Sequence, residues 1–421
     1  MKTKILKRAS TLLLALALLA TMLPIAAFSA PSRVVTVSSW EDFCTKVKRS
    51  WYGGLSGSYK LSADTEVPEG SSLADTFTGT FDGGGHTITV AGTMFSKIGA
   101  GATIKNFTVE TPGDSSTAIS STPVAYSINA SNTNTITFQN ITNNANVTIP
   151  SGSTAYGAGI VGKITTNATV VFENCVNNGH ITSSNQTGGI IANAPDSAGN
   201  SATLTFTDCV NNGNITTTKN YAGGIIGHSE GLADVSFTRC TNTGNVQAAN
   251  NAGGIYGNIR AGGSTKFDYC INMGNVTQTP VTTSGYCYGA AGLLGCVRDE
   301  DSASTNTFTH CINTGALTAA TNLTGPFCIN ENSSKSTYSD CYYVSASDEA
   351  IGGASPILVG NTAFAAEHDI ELTLAALDFA IVCKDSQIYI IYGSSAALTS
   401  AVLHFDANYI NGLTNKITIE E

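Results

Sequence analysis

Charge is scarce in this chain: only 12% of its 421 residues are Asp, Glu, Lys or Arg, and the bases are outnumbered, 20 to 30. A net charge of −10 with so few cations excludes a basic groove for nucleic acid or a polybasic face for anionic lipid. Long apolar runs are also missing. The longest candidate, Thr11 to Ala20, is too short to span a bilayer, so no membrane insertion of the mature chain is expected. No stretch carries a helical period long enough for a crossover helix, which argues against βαβ folds. The six histidines fall at different repeat phases and no pair has ligand spacing, so no metal centre is built from them and no cofactor is expected. A sorting motif and an apolar C-terminal tail are absent too, and any attachment to a cell surface is expected to be indirect.

What is present begins with an export signal. Lys2, Lys4, Lys7 and Arg8 precede the apolar stretch, and Pro24, Ala26, Ala27, Ser29 and Ala30 follow it. A basic head, a short apolar segment and small residues describe a secretory signal peptide. The expected cut follows Ser29, because a cut after Ala30 would leave Pro31 directly behind it. Residues 1–29 are then removed and the net charge becomes −14. Eleven cysteines in an exported chain would ordinarily indicate a disulfide framework. Their number is odd and most recur at one repeat phase, so packing explains them better, and free buried thiols are expected.

Repetition is the dominant signal. The run Phe172-Glu173-Asn174-Cys175-Val176-Asn177-Asn178-Gly179-His180-Ile181 returns around Cys209, Cys240, Cys270 and Cys311, and in degraded form around Cys341. Upstream, Ile141 and Phe107 occupy the cysteine slot, and successive slots lie 34, 34, 34, 31, 30, 41 and 30 residues apart. Between copies stands a second element, Gly188-Gly189-Ile190-Ile191 or Gly223-Gly224-Ile225-Ile226-Gly227. Short β-prone runs separated by Asn and Gly turns predict a parallel β-solenoid that lays each strand on its predecessor.

Coils stacked about 4.8 Å apart place each slot over its equivalent. Phe172, Phe206, Phe237, Phe267 and Phe308 are then an interior column, with the cysteines filling a tighter inward slot. Asn177, Asn211, Asn242, Asn272 and Asn313 form an amide ladder, and Gly179, Gly213, Gly244, Gly274 and Gly315 are expected to adopt a turn conformation closed to other residues. Thr148, Thr182, Thr216 and Thr277 give a partial outward row. Open ends of such a stack need covers. Ser39 precedes Asp42 with capping spacing, and Trp40, Phe43, Cys44 and Val47 follow helical spacing. Residues 30–75 therefore read as an N-terminal cap with a short helix. Phe77 to Ile88 reads as strand, tight turn, strand, and 76–345 as the β-helix. Residues 346–421 read as a C-terminal α+β cap or small appended domain, with a helix near 363–379 and strands near 388–392 and 402–405.

The Cys-x-Asn-x-Gly-x-(Ile/Val) runs alternating with Gly-Gly-Ile-Ile-Gly resemble the GLUG-type repeats of bacterial surface proteins. Phe81-Asp82-Gly83-Gly84-Gly85-His86 and Gly101-Ala102-Thr103-Ile104-Lys105-Asn106 are similar to the opening coils of pectin-lyase-like right-handed parallel β-helices. The likeness covers about residues 40–345. It implies a single-stranded right-handed β-helix, surface exposure and binding, and offers no catalytic residue to carry over. Polygalacturonase-like enzymes add clustered aspartates and downstream His and Arg-Lys motifs. Gly85-His86 has no such companions, and Asp82 reads as a turn residue.

Other candidates for chemistry are local. Asn174, Asp208, Arg239, Tyr269, His310 and Asp340 precede the slot cysteines, and their variety suits a solvated edge. The 41-residue repeat carries an insert with Tyr286 and Tyr288, a candidate stacking surface for a sugar ring or peptide. Asp299, Glu300 and Asp301 form the densest acidic run and are the candidate Ca²⁺ ligands, although a solvated loop explains them as well. Cys296 and Cys328 follow corresponding Gly-rich strands and are the candidate disulfide. The leading reading is an exported bacterial protein, secreted or at the cell surface, that binds extracellular glycans or proteins as a monomer. Its rivals are a polysaccharide lyase or glycoside hydrolase on the same scaffold and a structural spacer.

Overall fold

The computed structural model describes residues 33–343 except 114–117, 131–133, 154, 281–287, 298–303, 322, 331–334 and 340, together with the backbone of 381–384 and 387–390. The described residues from Val35 onward belong to one compact unit.

Each repeat is one turn of a right-handed parallel β-helix. In the coil of Phe172, Ala168–Glu173 and Val176–Asn177 belong to an 18-stranded sheet that takes two short strands from this coil and from each later one. Ile181–Ser183 and Thr187–Gly188 enter two six-stranded sheets, and Ile191–Asn193 enters a nine-stranded one. Neighbouring coils pair in parallel and in register, with Phe172 opposite both Phe138 and Phe206.

The interior columns form as the repeat requires. Phe138, Phe172, Phe206, Phe237, Phe267 and Phe308 are buried, and successive rings stack with centroids 4.8–5.0 Å apart. Cys175, Cys209, Cys240, Cys270 and Cys311 are buried free thiols. Each donates to a Phe carbonyl of the preceding coil, as Cys209 Sγ does to Phe172 O at 3.5 Å. Asn143, Asn177, Asn211, Asn242, Asn272 and Asn313 form a buried ladder in which every Nδ2 donates to the next Oδ1 at 2.7–2.8 Å. These amides meet one another's needs inside the core, which makes their burial tolerable. Outside, Thr148, Thr182, Thr216, Gln247, Thr277 and Thr318 lie in one register row.

Two expectations are corrected. Gly213, Gly244, Gly274 and Gly315 are not among the residues of positive φ. A Cβ at Gly213 would sit 1.9 Å from Gly179 O, so glycine stands there because adjacent coils touch backbone to backbone. The left-handed conformation belongs to the residue before each slot cysteine. The second correction concerns Phe77 to Ile88. Leu73–Phe77 is a strand of the nine-stranded sheet, and Thr80–Val90 is one long strand of the 18-stranded sheet. Gly84 and Gly85, at φ 67° and 82°, only bulge it, shifting the register between Asp82 and His86.

The N-terminal cover is the helix Trp40–Lys46. Ser39 Oγ accepts from Asp42 N at 3.1 Å, satisfying one orphan donor of the first turn. Trp40, Phe43 and Val47 are buried, with the Phe43 ring 4.9 Å from Phe81 and Trp40 5.3 Å from Phe95. At the other end the described backbone holds an antiparallel pair, Ile381–Lys384 with Gln387–Ile390. The expected helix near 363–379 and strand near 402–405 lie outside the described residues.

Candidate functional site

In each coil one residue of the long sheet turns the chain, inside the strands Thr103–Glu110 and Ile136–Asn143 and between the paired strands of the later coils. Asn106, Asn140, Asn174, Asp208, Arg239, Tyr269 and His310 all have φ between 51° and 61°. Their amides still pair with the next coil, as in Asn174 N to Thr207 O at 3.0 Å and Tyr269 N to Thr309 O at 3.0 Å. The left-handed turn lets Phe172 and Cys175 both point inward, although they lie three apart, and leaves the turning residue's side chain outside.

These side chains form a continuous outer edge. Asn106 Nδ2 donates to Asp82 Oδ1 at 3.0 Å, Asn140 to Asn106 at 2.9 Å and Asn174 to Asn140 at 3.2 Å. Arg239 grips Asp208 with both guanidinium branches, at 2.7 and 2.8 Å. The Tyr269 and His310 rings stack 4.3 Å apart, 16° from parallel, and His310 Nδ1 lies 3.5 Å from Asp268 Oδ1. Asn and Asp adopt this conformation at little expense, whereas a bulky side chain there costs of the order of 1 kcal/mol or more. The Arg239–Asp208 pair is about two-fifths exposed on both sides and returns at most about 1 kcal/mol.

At its beginning the edge opens into a groove of ≈ 440 Å³ lined by Lys60, Asp82, Asn106, Thr108, Asn140 and Thr142. Lys60, Asp82 and Lys105 occupy one register row over three coils. Asp82 Oδ1 also accepts from Gly84 N at 2.9 Å, which is the bend-holding role expected of it. Amides, hydroxyls and one charge of each sign give the groove donors and acceptors for a polyhydroxylated ligand. Among the described residues no group of His, Cys, Asp and Glu converges as a metal site.

A second polar cluster lies on the nine-stranded sheet. His228 is 1% exposed. Its Nε2 faces Glu230 Oε2 at 3.0 Å, and its Nδ1 faces Asn258 Nδ2 at 3.0 Å and Asn258 O at 3.2 Å. Asn251 Nδ2 donates to Asn258 Oδ1, Gly289 N donates to Asn251 Oδ1, and Arg260 pairs with Glu230. Burial lowers the His228 pKa, and the hydrogen bond from His228, with the charge of Arg260, lowers that of Glu230. Every side chain in this chain of bonds has a partner, which fits a structural network.

Of the sites expected from sequence, Tyr286, Asp299, Glu300 and Asp301 lie outside the described residues, as does Asp340. Tyr288 is half-buried, and its carbonyl accepts from Thr321 Oγ1. The expected Cys296–Cys328 disulfide is not the one present: Cys296 is disulfide-bonded and Cys328 is not. Register explains it. Cys328 stands opposite Leu294 and packs against the main core, while Cys296 is buried with Ala291 and Ile329 in a separate cluster. Counting from the Gly-rich runs treats the two cysteines as equivalent, whereas Cys296 lies two residues beyond Leu294, the partner of Cys328, within a break in the strand register.

No protein-family model matches the chain, and no curated protein does. Among solved structures it is similar to the crystal structure of a putative immunoglobulin A1 protease from Bacteroides ovatus, at 14% identity and a TM-score of 0.45, over 64% of this chain and 85% of that one.

Proposed function

We propose that this chain is an exported bacterial surface protein of the GLUG-repeat kind, its signal peptide being residues 1–29, and that it binds an extracellular glycan along the outer edge of its long sheet. One observation carries the reading: Arg239 and Tyr269, on consecutive coils, hold a backbone conformation that favours Asn, Asp or His. Local rules broken at consecutive positions mark places where the side chain is kept for what it contacts. Planar polar groups spaced one per coil, following a run of amides on the same edge, suit the sugar units of an extended chain better than an apolar protein surface.

Asparagine provides the test. Replacing Arg239, Tyr269 and His310 together by Asn removes the side chains and keeps the backbone comfortable. On a glycan and extracellular-matrix array, wild-type protein should bind a glycan and the triple variant should lose at least ten-fold in affinity with its melting temperature unchanged or raised. Equal binding by the two proteins would sink the assignment, and binding confined to matrix proteins would replace the glycan by a protein partner.

A further inference from the structure

Two residues before each stacked ring runs another inward column, Ile136, Val170, Leu204, Val235, Thr265, Asn306. It is apolar for four coils and then polar. Thr265 and Asn306 are each 1% exposed, and Thr265 Oγ1 and both Oδ1 and Nδ2 of Asn306 have no hydrogen-bond partner among the described residues. The contrast with the amide ladder beside them is sharp, since Asn272 Nδ2 reaches Asn313 Oδ1 at 2.8 Å across the same pair of coils.

Each buried polar group left unmet costs roughly 1–3 kcal/mol, and three on adjacent coils would consume much of a domain's stability. Native interiors meet such groups with ordered water or an ion. The donor set decides between the two. A cation would be served by Thr265 Oγ1 and Asn306 Oδ1 but would leave Asn306 Nδ2 without an acceptor. It would also need a counter-charge, and this column carries no carboxylate. Water both accepts and donates.

We propose that Thr265 and Asn306 form an internal hydration site, in which ordered water accepts from Asn306 Nδ2 and donates to Asn306 Oδ1 and Thr265 Oγ1. The solenoid interior is then dry along this column up to Val235 and wet beyond it. Magnetic relaxation dispersion of the full chain counts long-lived internal waters. The Thr265→Val/Asn306→Leu double variant should show fewer than wild type, and an equal count overturns the site. Should that variant not fold, a high-resolution crystal structure of the wild type decides. Density within hydrogen-bonding distance of both side chains supports water. An anomalous peak there after a rubidium soak, or an Asn306 amide bonded directly to the chain, refutes it.

Discussion

The interior columns and the outer edge of the long sheet are built from the same coils at the same spacing, yet they obey different rules. Inside, Phe, Cys and Asn repeat almost unchanged, because each side chain is bounded by its own copies above and below and a different volume would open a void or a clash. Outside, one column reads Asn, Asn, Asn, Asp, Arg, Tyr, His, with only the backbone to constrain it. The constraint is nonetheless real, since all seven share φ near 55°, and Arg239 and Tyr269 are residues it disfavours. Uniformity therefore reports packing, and departure from the locally cheap residue reports contact with something else.

Phe206→Ala should have the largest effect. It deletes a ring stacked at 4.8 and 5.0 Å on two neighbours and should cost about 3–5 kcal/mol in urea unfolding; a loss under about 1 kcal/mol would show that the column does not hold the stack. Next, Asn242→Leu breaks the amide ladder at the rung it shares with Asn211 and Asn272. Unmet amide groups left on its neighbours should cost roughly 1–3 kcal/mol, read from the same curves.

Acid should act through His228. Its folded pKa lies below the ordinary imidazole value of 6.5, so the native state binds fewer protons than the unfolded one there. The associated stability is present above pH 6.5 and is lost as pH falls through the folded value. Glu230, also lowered, adds a loss in the same direction below its ordinary value of 4.5. Melting temperature should fall with acidification from pH 7 to 5, and His228→Gln should flatten that limb; an equal slope in both proteins would place the acid sensitivity elsewhere. Smallest of all, Tyr269→Asn on the edge should change stability by less than about 1 kcal/mol, relief of backbone strain offsetting the lost ring stack. A penalty of interior size by calorimetry would erase the distinction between the two regions.

Much of this was legible in the repeat. Phe172, Cys175 and Asn177 announce inward positions by spacing alone, and Trp40 and Phe43 announce a covering helix. Gly213 was misread because a glycine required by close backbone approach looks, in sequence, like a glycine required by φ. The Cys296–Cys328 pairing fails because the strand register breaks between Leu294 and Val297, an irregularity that the sequence of the Gly-rich runs does not show. The edge residues were visible as a varied column, but their shared left-handed conformation was not, since Arg and Tyr carry no signal for it.

By itself the sequence determined the winding of the chain and the content of its interior, because a strict period places like side chains over like, and only mutually compatible ones can be buried there. The tertiary structure alone decided which positions turn the backbone, which glycines mark coil contact, and that Thr265 and Asn306 face inward without partners among the described residues. Those properties depend on distances between coils, and residues some thirty positions apart in the chain meet only once the solenoid has closed.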